Sequence, residues 1–180
     1  TIGFLGGQTG ALIGKFEAGY TAGAKAVNPN INVLVQYIGD DVSAFNNPTA
    51  GEALSNQMYD DGAEIVYHAS GASGAGLFNA AVAQGKYAIG VDSDQYNLVS
   101  ADQQPWVLTS MIKRVDTAVY EAVKATKDGT FEGGQRVFGL AEEGVGYSTS
   151  NPALTSDIVD QLEAYKQQII AGTIVVPTEP

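Results

Sequence analysis

Residues 86–120, KYAIGVDSDQYNLVSADQQPWVLTSMIKRVDTAVY, hold the side chains best placed to do chemistry. The apolar run Tyr87–Val91 reads as a buried strand that ends in an acidic turn, Asp92-Ser93-Asp94-Gln95. A short strand, Val107–Thr109, follows, and the spacing predicts a helix over 110–127 with Lys113 and Arg114 in its first turn. Cations at that end oppose the helix dipole, at about 0.3–1 kcal/mol each when exposed. A helix that accepts this should have a negative or strongly hydrogen-bonding neighbour, and the Asp92 turn is the candidate. A strand-end carboxylate facing a lysine makes a polar site for a small molecule. The same residue types also make a plain salt bridge between two loops, and residue types alone leave both readings open.

Other chemistry is poorly supported. His68 is the single histidine, which excludes a multi-histidine metal site. No G-x-S-x-G elbow surrounds any serine, and a lone histidine at a strand end suits loop hydrogen bonding. Residues 71–76 read G-x-x-G-x-G, which matches neither phosphate-binding glycine motif. Those glycines equally suit crowded strand–helix turns. The pairs Asp60/Asp61 and Glu142/Glu143 read as solvated surface. No catalytic residue, metal or cofactor is expected.

The elements that must position the acidic turn alternate between strand and helix. Thr1–Leu5 reads as a buried strand, followed by the turn Gly6–Gly10. Leu12, Ile13, Phe16, Tyr20 and Ala24 then recur at helical spacing until Asn28-Pro29. Asn32–Ile38 is the next strand. Asn47 as N-cap and Pro48 at the first helical position open a helix that presents Ala50, Leu54 and Met58 and stops at Gly62. Ala63–His68 is a third strand, its Ser/Gly loop leads to a short helix through Leu77, Phe78, Ala81 and Val82, and Tyr87–Val91 is a fourth strand. Such alternation means βαβ units and a parallel sheet. Near-continuous apolar strands imply that both faces are covered, a three-layer Rossmann-like α/β arrangement. Further on, Arg136–Ala141 reads as a strand, Glu142–Asn151 as a loop, Thr155–Ala171 as a helix and Ile174–Pro177 as a closing strand.

In an open parallel sheet, ligands sit beyond the carboxyl ends of the strands. Gly6–Gly10, Gly39–Asn47, Ser70–Gly76 and Asp92–Gln95 all fall there. Phe45 lies in an otherwise small and polar loop, GDDVSAFNNP, where it could stack on a planar ring or pack on the following helix as a hydrophobic staple. Charge narrows the partners. The chain of 180 residues carries 9 basic against 20 acidic residues, a formal charge of −11. It has no basic footprint for nucleic acid or for an anionic membrane surface. It has no cysteine, so no disulfide framework, and no apolar run approaches the ~20 residues of a membrane span.

The segments GFLGG–KFEAGYTAGAK, FNNPTAGEALSNQMYDDGAEIVYHASGASGAGLFNAA, AIGVDSDQ, VLTSMIKRVDTAVYEA and VFGLAEEGVGY resemble, in the same order, the C-terminal part of the basic membrane lipoproteins. These are the purine-nucleoside-binding family of bacterial ABC-transporter substrate-binding proteins. The resemblance implies one lobe of a type I periplasmic-binding-protein fold, in which two lobes close on the ligand. Asp92 would accept hydrogen bonds from ribose hydroxyls, Lys113 would help hold the sugar, Phe45 would stack on the purine, and Gly71 would offer backbone groups. The family shows a tighter G-S-F-x-D turn where this chain has GDDVSAFNN, which places an insertion beside Phe45.

The family's signal, lipid-modified cysteine and complete first lobe have no counterpart here. The expected parent protein is extracytoplasmic and lipid-anchored, working with an ABC permease. The apolar face Ile112, Val115, Val119 and Ala122 of the 110–127 helix would pack on the first lobe, or mediate self-association without it. Rival readings on the same fold are a sugar or other small polar ligand and the effector-sensing domain of a transcriptional regulator. A nucleoside hydrolase is a more distant one.

Overall fold

The structure is a computed structural model that describes residues 1–154 and 156–180. Six strands form one sheet in the order β2-β1-β3-β4-β5-β6. They are β1 (Ile2–Gln8), β2 (Val33–Gly39), β3 (Ile65–Ala69), β4 (Tyr87–Asp92), β5 (Val107–Lys113) and β6 (Val145–Tyr147). The first five are parallel and β6 runs antiparallel to β5. The helices are α1 (Ala11–Val27), α2 (Pro48–Asp60), α3 (Gly74–Gln84), α4 (Val115–Lys127) and α5 (Ser156–Ile170).

Alternation along the strands sorts side chains between two faces. Leu5 and Val66 join Met58, Tyr59, Leu77 and Phe78 of α2 and α3 in one core. Phe4 and Tyr67 point the other way, into a core with Ile13, Phe16 and Tyr20 of α1. Helices thus cover both faces, as the apolar strands imply. The glycines of 71–76 serve packing: a methyl on Gly74 would come within 2.0 Å of the His68 ring, and one on Gly76 within 2.1 Å of the Pro48 carbonyl oxygen. The α2 start matches its sequence signal, with Asn47 Oδ1 accepting from Ala50 N–H at 3.1 Å.

Four expectations fail beyond β4. The helix expected from 110 begins at Val115 instead, because the chain continues as β5 through Lys113. Ser110, which resembles an N-cap, is fully buried within that strand. Asp92 pairs with Ile112, and β6 pairs with Met111–Lys113, so neighbours on both sides hold 110–113 extended. Arg136–Ala141 is not a strand and pairs with none of the six described strands. The sixth strand is Val145–Tyr147, inside the expected loop. Ile174–Pro177 is irregular and lies beside α1 and α5 along an apolar groove of about 420 Å³. The start expected for the last helix, Thr155, falls outside the described residues; the rest agrees with α5. Among the described residues, no helix is long and apolar enough to cross a membrane.

Candidate functional site

The strand order reverses direction between β1 and β3, and crevices form outside the carboxyl ends of strands at such a switch point. A cleft of about 160 Å³ opens there. Its wall contains Phe45, Gly71, Asp92 and Lys113, the four residues singled out from sequence, together with Leu12, Ile13, Phe16, Ala69 and Val91. The strand ends therefore bring together residues as far apart in sequence as 12 and 113.

Asp92 ends β4 in the left-handed region, with φ 67°. Ser93 N–H donates to the Val91 carbonyl at 2.8 Å, which closes a γ-turn around Asp92. Lys113 ends β5 on the neighbouring strand, and its Nζ lies 3.2 Å from Asp92 Oδ1. Lys113 thus does not stand in the helix first turn expected from the sequence; it pairs with Asp92 from the end of a strand. Both side chains are about half exposed, and such a pair contributes roughly 0–1 kcal/mol to stability. The salt bridge exists, then, but it does little to hold the fold. The Lys113 ammonium also lies 5.4 Å from the centre of the Phe16 ring, in a cation–π arrangement.

Phe45 is half-buried in a 3-10 turn, Val42–Asn46, after β2. Its ring covers Gly7 so closely that a methyl there would come within 2.4 Å. Gly71 has φ 58° and faces the Phe45 carbonyl oxygen, 3.1 Å from where a Cβ would stand. A side chain at Gly71 would be both strained and crowded. Ser73, fully buried, bolts the two loops together: its Oγ donates to the Ala44 carbonyl and accepts from Asn47 N–H, each at 2.7 Å. These contacts direct Phe45 towards the cleft.

His68 lies behind the cleft and is fully buried. Its Nε2 is 2.8 Å from Gln95 Oε1 and its Nδ1 is 3.2 Å from Ser70 Oγ. Burial pulls its pKa down to about 4, while the Gln95 hydrogen bond and the Asp92 charge act weakly in the opposite sense. It is a neutral interior hydrogen-bonder, deeper than a loop residue. Burial, reinforced by the Asp92 charge, raises the phenol of Tyr67 well above its ordinary value. Asp60, Asp61, Glu142 and Glu143 are exposed, as the sequence implies. Among the described residues, no cluster of three His, Asp or Glu is placed to hold a metal.

Phe16, Gln95 and Ser73 were not legible as site residues. Phe16 falls on the core-facing stripe of α1, and nothing in its spacing separates a core position from a cleft position. A carboxylate beside an ammonium on an apolar floor can hold a neutral polar ligand by its hydroxyls.

The family model for "ABC transporter substrate-binding protein PnrA-like" matches residues 1–179. A CD4+ T-cell-stimulating antigen of Listeria innocua is 39% identical over 99% of this chain and 53% of its own length. The ABC transporter nucleoside-binding protein BmpA of Lactococcus lactis subsp. cremoris is 37% identical over 99% of this chain and 53% of its own. Among solved structures, an ABC transporter solute-binding protein from Conexibacter woesei superposes with a TM-score of 0.82 at 21% identity, over 98% of this chain and 57% of that one. This last likeness concerns the fold. The chain spans about half the length of the curated relatives it matches.

Proposed function

The chain belongs to the PnrA-like family of ABC transporter substrate-binding proteins, a family of solute binders and not of enzymes, and we propose that it forms one wall of a purine-nucleoside site. The observation that carries this is the single cleft shared by Phe45, Gly71, Asp92 and Lys113. Asp92 accepts hydrogen bonds from the ribose hydroxyls. Lys113, steadied by Asp92 and the Phe16 ring, donates to the sugar. Phe45 stacks on the base, and the Gly71 backbone meets its edge. A ligand with one hydroxyl-rich end and one planar end uses the polar pair and the apolar floor together. A bare sugar would leave Leu12, Ile13 and Phe16 without an apolar partner, so the mixed lining favours a nucleoside over a sugar. The nucleoside-binding name of the Lactococcus lactis relative supports the same reading.

Small-ligand pockets typically measure about 300–1,000 Å³ and bury most of the ligand. A cleft of about 160 Å³ is half of such a site. The other half is supplied by a first lobe, corresponding to the part of the relatives that this chain does not span. That lobe also covers α4, whose Val115, Val119, Tyr120 and Val123 are exposed here; without it, the same face drives self-association. In the parent protein the assembly is extracytoplasmic and lipid-anchored, and it delivers nucleoside to an ABC permease.

The test is calorimetry on a two-lobed form, in which this chain follows the first half of a relative. Inosine should bind more tightly than inosine monophosphate, because Asp92 in a chain of net charge −11 repels phosphate and Lys113 is one compensating charge. Equal or tighter nucleotide binding would refute the neutral-nucleoside reading.

A further inference from the structure

Gln95 stands three residues beyond Asp92 and joins three neighbouring strands. Its Oε1 accepts from Val91 N–H of β4 at 2.7 Å and faces His68 Nε2 of β3 at 2.8 Å. Its backbone N–H donates to Ser110 Oγ of β5 at 3.1 Å. The Val91 N–H requires an oxygen at that carboxamide position, so His68 must carry its proton on Nε2 and accept from the Ser70 hydroxyl on Nδ1. Among the described residues, no buried side-chain polar atom is then left without a partner. The fit is close: a methyl on Gly90 would come within 2.6 Å of both Gln95 Oε1 and Ser110 Oγ.

Asp92 lies inside the loop that Gln95 closes. A γ-turn with φ 67° is strained for a residue that bears a side chain, and such strain persists only where the surroundings over-determine it. Among the described residues, the Asp92 carboxylate pairs with Lys113 and makes no hydrogen bond within its own turn. The restraint therefore comes from outside Asp92. Gln95 contributes to it by holding Val91, the residue before the turn, through its side chain, while its own backbone N–H is anchored on Ser110 Oγ.

We propose that Gln95 is the positioning residue of this site: through Val91, His68 and Ser110 it locks the turn that aims the Asp92 carboxylate into the cleft. The consequence for affinity rests on the nucleoside reading above; the consequence for Asp92 itself does not. In GVDSDQ, Gly90 makes room, Asp92 turns and Gln95 closes the turn.

The first test uses the ligand-free 180-residue chain. Backbone carbon shifts and the amide–α-proton coupling of Asp92 should show it leaving the left-handed region in Gln95→Ala. They should show it retained in Gln95→Glu, whose carboxylate keeps both acceptor roles. Gln95→Met, which fills the space without accepting, replaces Gln95→Ala if that variant does not fold. An unchanged Asp92 in the variants lacking the acceptor overturns the proposal. In the two-lobed form, Gln95→Ala should weaken inosine about tenfold, Gln95→Glu should recover to within about threefold, and Gln95→Ala should cost less than about threefold once Asp92 is alanine. Equal losses with and without Asp92 would show that Gln95 does not act through it. If Asp92→Ala leaves inosine affinity unchanged, the nucleoside reading fails, and the Asp92 backbone measurement alone then decides the positioning role.

Discussion

Helices α3 and α4 are similar in length and opposite in fate. α3, Gly74–Gln84, buries Gly74, Gly76, Leu77, Phe78, Ala80 and Ala81 against α2 and the sheet. α4, Val115–Lys127, has no fully buried residue, and Val119 on its apolar stripe is 57% exposed. Yet α4 is the better written of the two as an amphipathic helix, with Asp116 in its first turn and Lys124 and Lys127 in its last, as the dipole favours. Among the described residues nothing covers this apolar stripe, and the two-lobed proposal assigns its cover to the first lobe. α3 is glycine- and alanine-rich because its partner is already present and close.

Stability should divide along the same line. Leu77→Ala should cost about 2–5 kcal/mol, the range for truncating a fully buried leucine. Val119→Ala should change stability by no more than about 0.5 kcal/mol, as at exposed positions. Urea unfolding of both variants checks this, and comparable losses would mean that α4 is packed in solution.

The polar interior of the α3 side gives a second contrast. His68 titrates near 6.5 when unfolded and near 4 when folded, because burial disfavours its charge. As pH falls below about 6.5 the unfolded chain takes up a proton that the folded chain refuses until about 4. This contribution is therefore complete above about pH 6.5 and is lost on acidification, by about 3 kcal/mol in all. His68→Gln should flatten stability between pH 6.5 and 4, measured by denaturant midpoints. An unchanged slope would place the sensitivity elsewhere.

The smallest effect concerns association. If the α4 stripe drives self-association when uncovered, light scattering across a concentration series should show a dimer that Val119→Glu weakens, with stability unchanged. A strict monomer at every concentration would show that exposure of the stripe is tolerated.

The division also explains what was legible in the sequence. β1, β3 and β4 announce themselves as apolar runs, since central parallel strands are buried on both faces; β2, at the sheet edge with no buried residue, is legible from its β-branched and aromatic residues. The end of β5 is not: Ser110-Met111-Ile112-Lys113 resembles a helix start, and only pairing with β4 and β6 makes it a strand. β6 is three residues with a central glycine, defined wholly by its neighbour. RVFGLA has a strand's composition but pairs with neither edge of the sheet, β2 or β6. Asp92 and Lys113 were found because their charges stand out at element ends. Phe16 and Gln95 were missed because their roles depend on which distant residues fold against them.

The central claim is that this chain is one wall of a two-walled nucleoside site. Titrating inosine into the 180-residue chain and into a two-lobed form, each with and without Asp92→Ala, tests it most directly. One wall still bears most of the entropic cost of immobilising the ligand, so the chain alone should bind at about millimolar or not detectably. The two-lobed form should bind at least about a hundredfold more tightly and should lose roughly 1.5–3 kcal/mol on Asp92→Ala, the range for charge-assisted hydrogen bonds. Micromolar binding by the chain alone, or a two-lobed form indifferent to Asp92, would contradict the account.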